Sequence, residues 1–322
     1  MNIGVLGCAN IAFRSVIPAI KSIPDFNLIA VASRTLSKAQ EYADKFQCEA
    51  IEGYDNLISR KDIDAIYLPL PTGMHAEYVN KCLEAGKHVL AEKSLGMNYD
   101  EVKSMVDVAR SKNLLLMENY MFEYHSQHKF VFNLIQNNEI GELRLFRSIF
   151  GFPPLDKNNF RYNKALGGGS LLDAAGYPIK ASQIFLGYDI CVKAANLYYD
   201  KSLDVDIYGS AYLSDDKGIP SEISFGFDNL YQCNYEIWGS KGKIFAERAF
   251  TPQPNYSPKI ILQKDTETKE YLIEPDNHFE NILKEFHRAI QQKDFETHYK
   301  KLLNQAKLQE EIRNISTKNF IN

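Results

Sequence analysis

Three side chains of this 322-residue chain are suited to moving a proton: Lys93, and the pair Asp173 and Tyr177, four residues apart. When hydride adds to a carbonyl, negative charge develops on its oxygen, and a positioned acid must neutralise it. A free tyrosine has a pKa of about 10 and a free lysine about 10.4, so both carry a proton to give at neutral pH. Lys93 stands just beyond the apolar run Val89–Ala91. A lysine there, at the carboxyl end of a buried strand, faces the crevice where open α/β sheets bind ligands. Asp173 and Tyr177, four residues apart, share one face of the same helix. Taken alone, that pair reads more plainly as a core tyrosine bonded to a neighbour and an ordinary helical aspartate.

A second constellation suits a dinucleotide. Gly7-Cys8-Ala9-Asn10-Ile11-Ala12 occupies the place of G-x-G-x-x-G, with alanine at the second and third glycines. Such a turn lets a pyrophosphate approach backbone N–H groups at a helix N-terminus. Ala12 still permits close helix–strand packing, whereas Ala9 crowds the phosphates slightly; any strand-to-helix turn is the plainer alternative. The end of the second strand reads Ala32-Ser33-Arg34-Thr35, without the acid that holds the ribose hydroxyls of NAD. Arg34 can pair with a 2′-phosphate, and Ser33 and Thr35 can donate to it, which points to NADP(H). The alternative is a solvated surface arginine.

These side chains need elements to hold them. Apolar runs at Asn2–Leu6, Leu28–Ala32, Ala65–Leu68, Val89–Ala91 and Leu114–Met117 alternate with helical spacing at Ile11–Ile23, from Ser37 as a cap to about Phe46, Met74–Ala85 and Tyr99–Lys112. Gly86 stops the third of these helices. Alternating β and α with short links predicts a parallel sheet covered on both faces, the doubly wound α/β Rossmann pattern. After Asn119 the pattern changes. A helix is expected over His125–Asn137, then strands over Leu143–Phe152, Val192–Tyr199, Ile207–Leu213, Glu222–Phe227 and Tyr231–Trp238. A helix from Ser170 to Leu186 interrupts them, Gly239-Ser-Lys-Gly242 makes a hairpin turn, and Phe279–Gln291 and Tyr299–Asn314 close the chain as helices. The expected organisation is a dinucleotide-binding domain over 1–119 and, over 120–322, an α+β domain with a large, mostly antiparallel sheet for substrate binding and oligomerisation.

Composition narrows the function classes. The formal net charge of -4 leaves no electrostatic footprint for nucleic acid or an anionic membrane. No run approaches 18 apolar residues, and MNIGVLG lacks the layout of a signal peptide. Cys8, Cys48, Cys82, Cys191 and Cys233 form no C-x-x-C pair, so neither structural zinc nor a disulfide framework is expected. A reduced, cytoplasmic enzyme with a small-molecule substrate is the resulting expectation.

Five segments carry a resemblance: Gly7–Ala12; Pro69-Leu-Pro-Thr-Gly-Met-His75; Glu84-Ala-Gly-Lys-His-Val-Leu-Ala-Glu-Lys-Ser94; Gly167-Gly-Gly-Ser-Leu-Leu-Asp173 with Tyr177-Pro178; and Gly239-Ser-Lys-Gly242. In order and approximate spacing they resemble the glucose–fructose oxidoreductase / inositol dehydrogenase family across most of the chain. The family's E-K-P motif stands here as Glu92-Lys93-Ser94, and loss of the proline is expected to alter an unusual turn. Tyr177, where many members carry histidine, is similar to the glucose–fructose oxidoreductase, dihydrodiol dehydrogenase and nucleotide-sugar 3-ketoreductase branches. Met117-Glu-Asn-Tyr-Met-Phe-Glu-Tyr-His-Ser-Gln-His128 most resembles ketoreductases that act at C3 of a dTDP-linked keto-deoxysugar.

The resemblance implies an NADPH-dependent oxidoreductase reducing a ketone on a nucleotide-linked sugar, working as a homo-oligomer. Lys93, Tyr177 and Asp173 become catalytic, with Tyr177 the proton donor, Lys93 polarising the carbonyl, and Asp173 orienting the sugar or Lys93. Cofactor contacts fall to Gly7, Cys8, Ala9, Asn10, Ile11, Ser33, Arg34, Thr35, Pro69, Leu70, His75 and Glu92. Substrate contacts fall to Lys93, Tyr120, His125, Arg161 and Tyr177. For His75 a packing role stands beside a nicotinamide-side one, and for Arg161 and Tyr162 a surface role beside contact with a diphosphate or sugar. Gly167–Gly169 reads more simply as a close-approach entry to a helix than as a phosphate cradle. Glu123, His125 and His128 do not match H-E-x-x-H, and no metal is expected. The rival readings are an NADP-dependent aldose or dihydrodiol dehydrogenase, and a non-catalytic dinucleotide-binding regulator or scaffold, which would need neither Lys93 nor Tyr177.

Overall fold

The computed structural model describes residues 1–321 as two compact units. The first holds a six-stranded sheet of β1 (Asn2–Leu6), β2 (Asn27–Ser33), β3 (Glu49–Glu52), β4 (Ala65–Leu68), β5 (His88–Ala91) and β6 (Leu116–Glu118). Every pairing is parallel, and the order is β3-β2-β1-β4-β5-β6. This is the doubly wound order, which reverses between β1 and β4 and opens a crevice at their carboxyl ends. The central strands are buried on both faces, so they read as unbroken apolar runs: Ile3, Val5, Ile66, Tyr67, Val89 and Leu90 are fully enclosed.

Five helices connect these strands: α1 (Ile17–Ser22), α2 (Leu36–Phe46), α3 (Tyr54–Ile58), α4 (His75–Glu84) and α5 (Tyr99–Lys112). The expected helix over Ile11–Ile23 begins as a wider π turn at Ala12–Val16. Pro18 has no N–H to give the carbonyl of Arg14, and the Ile17 N–H bonds instead to Ala12. Thr35, not Ser37, is the N-terminal boundary residue of α2, and its side chain makes no capping bond. In α5, Asn98 accepts from the Glu101 N–H at 2.9 Å, and the Glu101 carboxylate accepts from the Met97 N–H.

The second unit contains α6 (Ser126–Gln136), α7 (Ser170–Asp173), α8 (Gly176–Leu186) and a nine-stranded sheet. Its strands are β7 (Leu143–Gly151), β8 (Ile190–Asp200), β9 (Val205–Asp215), β10 (Pro220–Gly226), β11 (Gln232–Gly239), β12 (Lys243–Ala246), β13 (Lys259–Lys264), β14 (Glu267–Leu272) and β15 (Thr317–Ile321). The order is β14-β13-β12-β11-β7-β10-β9-β8-β15, and only β10–β7 and β15–β8 pair in parallel. The Gly239–Gly242 turn joins β11 to β12 as an antiparallel hairpin. Burial alternates along β11, as expected for a sheet with one covered face.

The chain ends with α9 (His278–Gln292) and α10 (Phe295–Ile315), followed by β15. The first unit comprises Met1–Asn119 and Phe279–Ala306; the second comprises Tyr120–His278 and Lys307–Asn322. A single cut at residue 119 therefore leaves out a returning segment. Apolar and ionic contacts draw it back. The Phe295 ring lies on His88, Arg110 pairs with Glu296 at 2.8 Å, and the Tyr299 hydroxyl donates to the Leu114 carbonyl. Among the described residues no helix is long and apolar enough to cross a membrane.

Candidate active site

The carboxyl edge of the first sheet gathers the predicted cofactor residues. Gly7 ends β1 with φ +126°, and its N–H donates to the Ala32 carbonyl at 3.0 Å. A Cβ on Gly7 would lie 2.9 Å from Leu70 Cδ2, so the turn after β1 and the Pro69–His75 loop after β4 meet only because residue 7 has no side chain. Cys8, Ala9 and Ile11 are half-buried and Asn10 is exposed. Burial pushes the Cys8 thiol up to about 11, so it stays neutral. After β2, Ser33 is buried while Arg34 and Thr35 are exposed. Arg34 has no carboxylate partner among the described residues, and the α2 N-terminus beside it carries no side-chain cap. An unpaired guanidinium and a hydroxyl next to an uncapped helix start suit a 2′-phosphate.

Lys93 follows β5 and is half-buried. The peptide bond from Lys93 to Ser94 is cis, at the place where the sequence lacks the expected proline. Beside it, the Glu92 carboxylate accepts from the Tyr67 hydroxyl at 2.7 Å and from Asn119 Nδ2 at 2.5 Å. These three side chains come from the ends of β4, β5 and β6. The Leu95 N–H donates to Glu118 at 2.8 Å. His75 is fully enclosed, with Nε2 2.7 Å from the Leu70 carbonyl and Nδ1 3.2 Å from that of Leu95. Burial lowers its pKa, which favours the neutral ring. A neutral imidazole has one N–H, so it donates to one of these two carbonyls at a time. The ring thus sits between its own loop after β4 and the loop that carries Lys93.

In the second unit, packing pairs Asp173 with Arg161 and Tyr177 with Tyr120. Gly167 and Gly169 have φ +80° and +112°, and a Cβ on Gly169 would fall 2.4 Å from Asp206 Oδ1. A Cβ on Gly168 would fall 2.5 Å from the Arg161 carbonyl, so the glycine run is a close-approach entry to α7. Asp206 on β9 accepts from the Ser170 hydroxyl at 2.7 Å and the Leu171 N–H at 2.6 Å, capping α7 from across the chain. Its burial raises its carboxyl pKa. At the other end of α7, Asp173 pairs with Arg161, Nε to Oδ2 at 2.7 Å. The expected helix over Ser170–Leu186 is broken at Ala174–Ala175, so Asp173 and Tyr177 stand on two successive helices. Pro178 has no N–H for the Ala174 carbonyl, which takes the Tyr177 N–H instead at 3.3 Å.

Tyr177 is buried in an aromatic shell. Its ring centroid lies 4.5 Å from Phe150, 5.5 Å from Tyr120 (edge-on), 5.6 Å from Phe122 and 5.7 Å from Phe250. Tyr120 is buried, as is His125, which caps α6 by accepting from the Gln127 N–H at 3.1 Å. The His125 ring lies 6.5 Å from His128 and 5.8 Å from His278. Burial is the main cause of depressed pKa values at all three, to about 3 for His128 and His278. Among the described residues no three His, Cys, Asp or Glu side chains are grouped to hold a metal. Asp206, Asn119 and the buried Lys180 escaped the reading of the sequence. Only Lys180 left a signal there: it is the one charged residue of Gly176–Leu186, at i+3 from Tyr177.

The sequence over residues 1–120 matches the model of the oxidoreductase family with an NAD-binding Rossmann fold, and 128–245 matches the GFO/IDH/MocA C-terminal domain. The chain belongs to the GFO/IDH/MocA oxidoreductase family. It is 42% identical over 290 residues to a dTDP-3,4-didehydro-2,6-dideoxy-alpha-D-glucose 3-reductase of Saccharopolyspora spinosa, covering 90% of this chain and 87% of that one. A D-xylose 1-dehydrogenase (NADP(+)) of Haloferax volcanii is 29% identical over 90% of this chain and 89% of its own length. Among solved structures, a 3-ketoreductase of Actinomadura kijaniata in complex with NADP and TDP-benzene is 35% identical with a TM-score of 0.97, over 100% of this chain and 99% of that one.

Proposed function

We propose that this chain is an NADPH-dependent reductase of a C3 ketone on a dTDP-linked keto-deoxysugar. One observation carries the reading. The likeness to 3-ketoreductases, one of them solved with NADP and TDP-benzene, spans both units and nearly the whole chain. NADPH, when bound, supplies the hydride. Gly7–Ile11 would hold its pyrophosphate and Ser33–Thr35 its 2′-phosphate, and Pro69, Leu70 and Glu92 would supply further contacts to it. Tyr177 gives its proton to the ketone oxygen as charge builds there, and Lys93 polarises the same carbonyl and holds the sugar. Asp173, held by Arg161, orients the substrate. His75, Tyr120 and His125, all buried, set the shape of the surfaces around them. Single Tyr→Phe and Lys→Ala variants of the A. kijaniata enzyme have each been solved with NADP and TDP-benzene.

Two further parts belong to this proposal. The enzyme works in the cytoplasm, in keeping with five cysteines none of which is in a disulfide. It forms a homo-oligomer through the second unit's sheet, where the exposed Trp238 and Tyr212 share a face with Arg147, Glu222 and Glu236.

NADPH oxidation is to be followed with dTDP- and UDP-linked keto-deoxysugars, free aldoses and dihydrodiols, together with calorimetric titration of dTDP, UDP and a free hexose. Turnover of the dTDP-linked ketone, with dTDP binding and no detectable binding of the hexose, is the expected result. No binding of either nucleoside diphosphate, with turnover of an aldose or a dihydrodiol, would replace this substrate class with the rival one.

A further inference from the structure

Tyr177 faces a difficulty in its surroundings. Giving up its proton leaves a phenolate, and the rings packed on it from Phe122, Phe150 and Phe250 offer no charge to offset that anion. A low-dielectric shell of this kind raises a phenol's pKa and weakens it as an acid. The second unit contains one buried cation close by in the chain. Lys180 is on α8, three residues after Tyr177, and only 3% exposed. Lysine is almost never buried to this degree unless it is paired. Its Nζ lies 5.5 Å from the centre of the Tyr120 ring, and that ring meets Tyr177 edge-on at 5.5 Å. Tyr120 is itself fixed. Its hydroxyl lies against Gly176, where a Cβ would come within 1.7 Å of it.

We propose that Lys180 is a positioning cation for the acid: it holds the Tyr120 ring against Tyr177 and offsets the charge that Tyr177 acquires when it gives up its proton. The inference rests on Tyr177 being the proton donor. Titratable groups near Tyr177 in this unit include Asp173, which ends α7 and is paired with Arg161, and Tyr120 itself. The aromatic side chains from β7, from Phe122 and from Phe250 carry no charge. The Lys180 Nζ and the Tyr177 ring centre each lie 5.5 Å from the centre of the Tyr120 ring, so the charge is no more than about 11 Å from the Tyr177 ring. At an effective dielectric of about 20, a unit charge roughly 6–11 Å away changes a group's pKa by about one to two units.

The test uses the full-length chain labelled with [13Cζ]tyrosine, titrated by NMR, with Tyr177→Phe identifying the Tyr177 signal. Lys180→Met should raise the Tyr177 pKa by about one to two units, and Lys180→Arg should return most of that shift. The alkaline limb of the kcat profile should move upward in parallel, with KM for the nucleotide sugar changed less than threefold. An unchanged Tyr177 titration in a folded Lys180→Met protein overturns the proposal. So does a shift that Lys180→Arg fails to reverse, because arginine keeps the charge. Should Lys180→Met not fold, Lys180→Gln, which stays polar, replaces it on the same criteria. The NMR titration needs no substrate, so a wrong substrate class would leave it readable.

Discussion

In the first unit, the side chains proposed to act hang from the ends of parallel strands; in the second, they are locked into a packed interior. Arg34 and Lys93 follow β2 and β5 directly, and their places come from chain direction and the edge of one sheet. Asp173 and Tyr177 depend on a carboxylate from β9, an ion pair from Arg161, a helix break at Pro178 and four aromatic rings. Strand-end groups are open to a ligand and tolerate change around them. Packed groups are held more firmly, and a change there moves chemistry and stability together. Apart from Lys93, which is proposed to touch the reacting carbonyl, substitutions in the first unit should therefore be read mainly in cofactor binding, and those in the second mainly in turnover and in response to acid.

The largest expected effect breaks this comparison if it fails. Tyr177→Phe keeps the ring and its aromatic contacts but removes the proton. Turnover should fall by about a hundredfold to ten-thousandfold, the usual worth of general acid catalysis, while the NADPH dissociation constant changes less than twofold. Lys93→Met should lower turnover by a similar order, since it removes charge and keeps most of the stem. Single-turnover hydride transfer and fluorescence titration of NADPH separate the two quantities. Near-native turnover by both variants, each folded, would remove them from the site.

A second effect is specific to the packed unit. His128 and His278 have pKa values near 3 because burial disfavours their charged forms. An unfolded histidine titrates near 6.5. The folded values are depressed, so the neutral rings impose no penalty above pH 6.5. Below that, the unfolded chain takes up protons that the folded chain refuses until about pH 3. Stability should fall across this window by about 1.4 kcal/mol per pH unit for each histidine. Urea melts between pH 7 and pH 4 should show that slope, and His278→Gln should remove about one proton's share. An unchanged slope in that variant would mean that the cluster is solvated on the relevant time scale.

The same contrast explains what the sequence disclosed. The β1–β6 alternation, the Gly7 turn and the acid-free end of β2 are local patterns, and local patterns can be read from spacing. The close-approach role of Gly167–Gly169 was also legible, because three consecutive glycines announce a crowded backbone. The helix break was not: Tyr177-Pro178 fits the first turn of a new helix as well as the interior of a kinked one. Asp206 lies 36 residues from Ser170, and nothing in its own segment marks it as a cap. The return of Phe279–Ala306 to the first unit was equally hidden, because an amphipathic helix shows that it has a buried face but not which core receives it. β3, β14 and β15 are short edge strands whose charged residues mask their alternation.

The smallest effect sharpens the comparison from the strand-end side. Arg34 is exposed, stands where an NAD enzyme would place an acid, and has no carboxylate partner among the described residues. Thr35 beside it begins α2 without capping it. Nothing in the fold depends on the guanidinium, so Arg34→Ala should leave the melting temperature within about a degree, as for surface changes away from buried features. Its loss should nevertheless weaken NADPH binding by tenfold to a hundredfold, the worth of one charge-assisted phosphate contact of about 1.5–3 kcal/mol. NADH lacks the 2′-phosphate, so its affinity should hardly change, and the native preference for NADPH should shrink by the same factor. The preference should also weaken with added salt, since an exposed pair is screened within about 10 Å at 0.1 M ionic strength. Dissociation constants for both cofactors, with native and variant protein at two salt concentrations, measure all of this. If the native chain binds NADH and NADPH equally, the 2′-phosphate is not recognised at Ser33–Thr35. If Arg34→Ala weakens both cofactors alike, the arginine steers anions to the sheet edge in general rather than reading that phosphate.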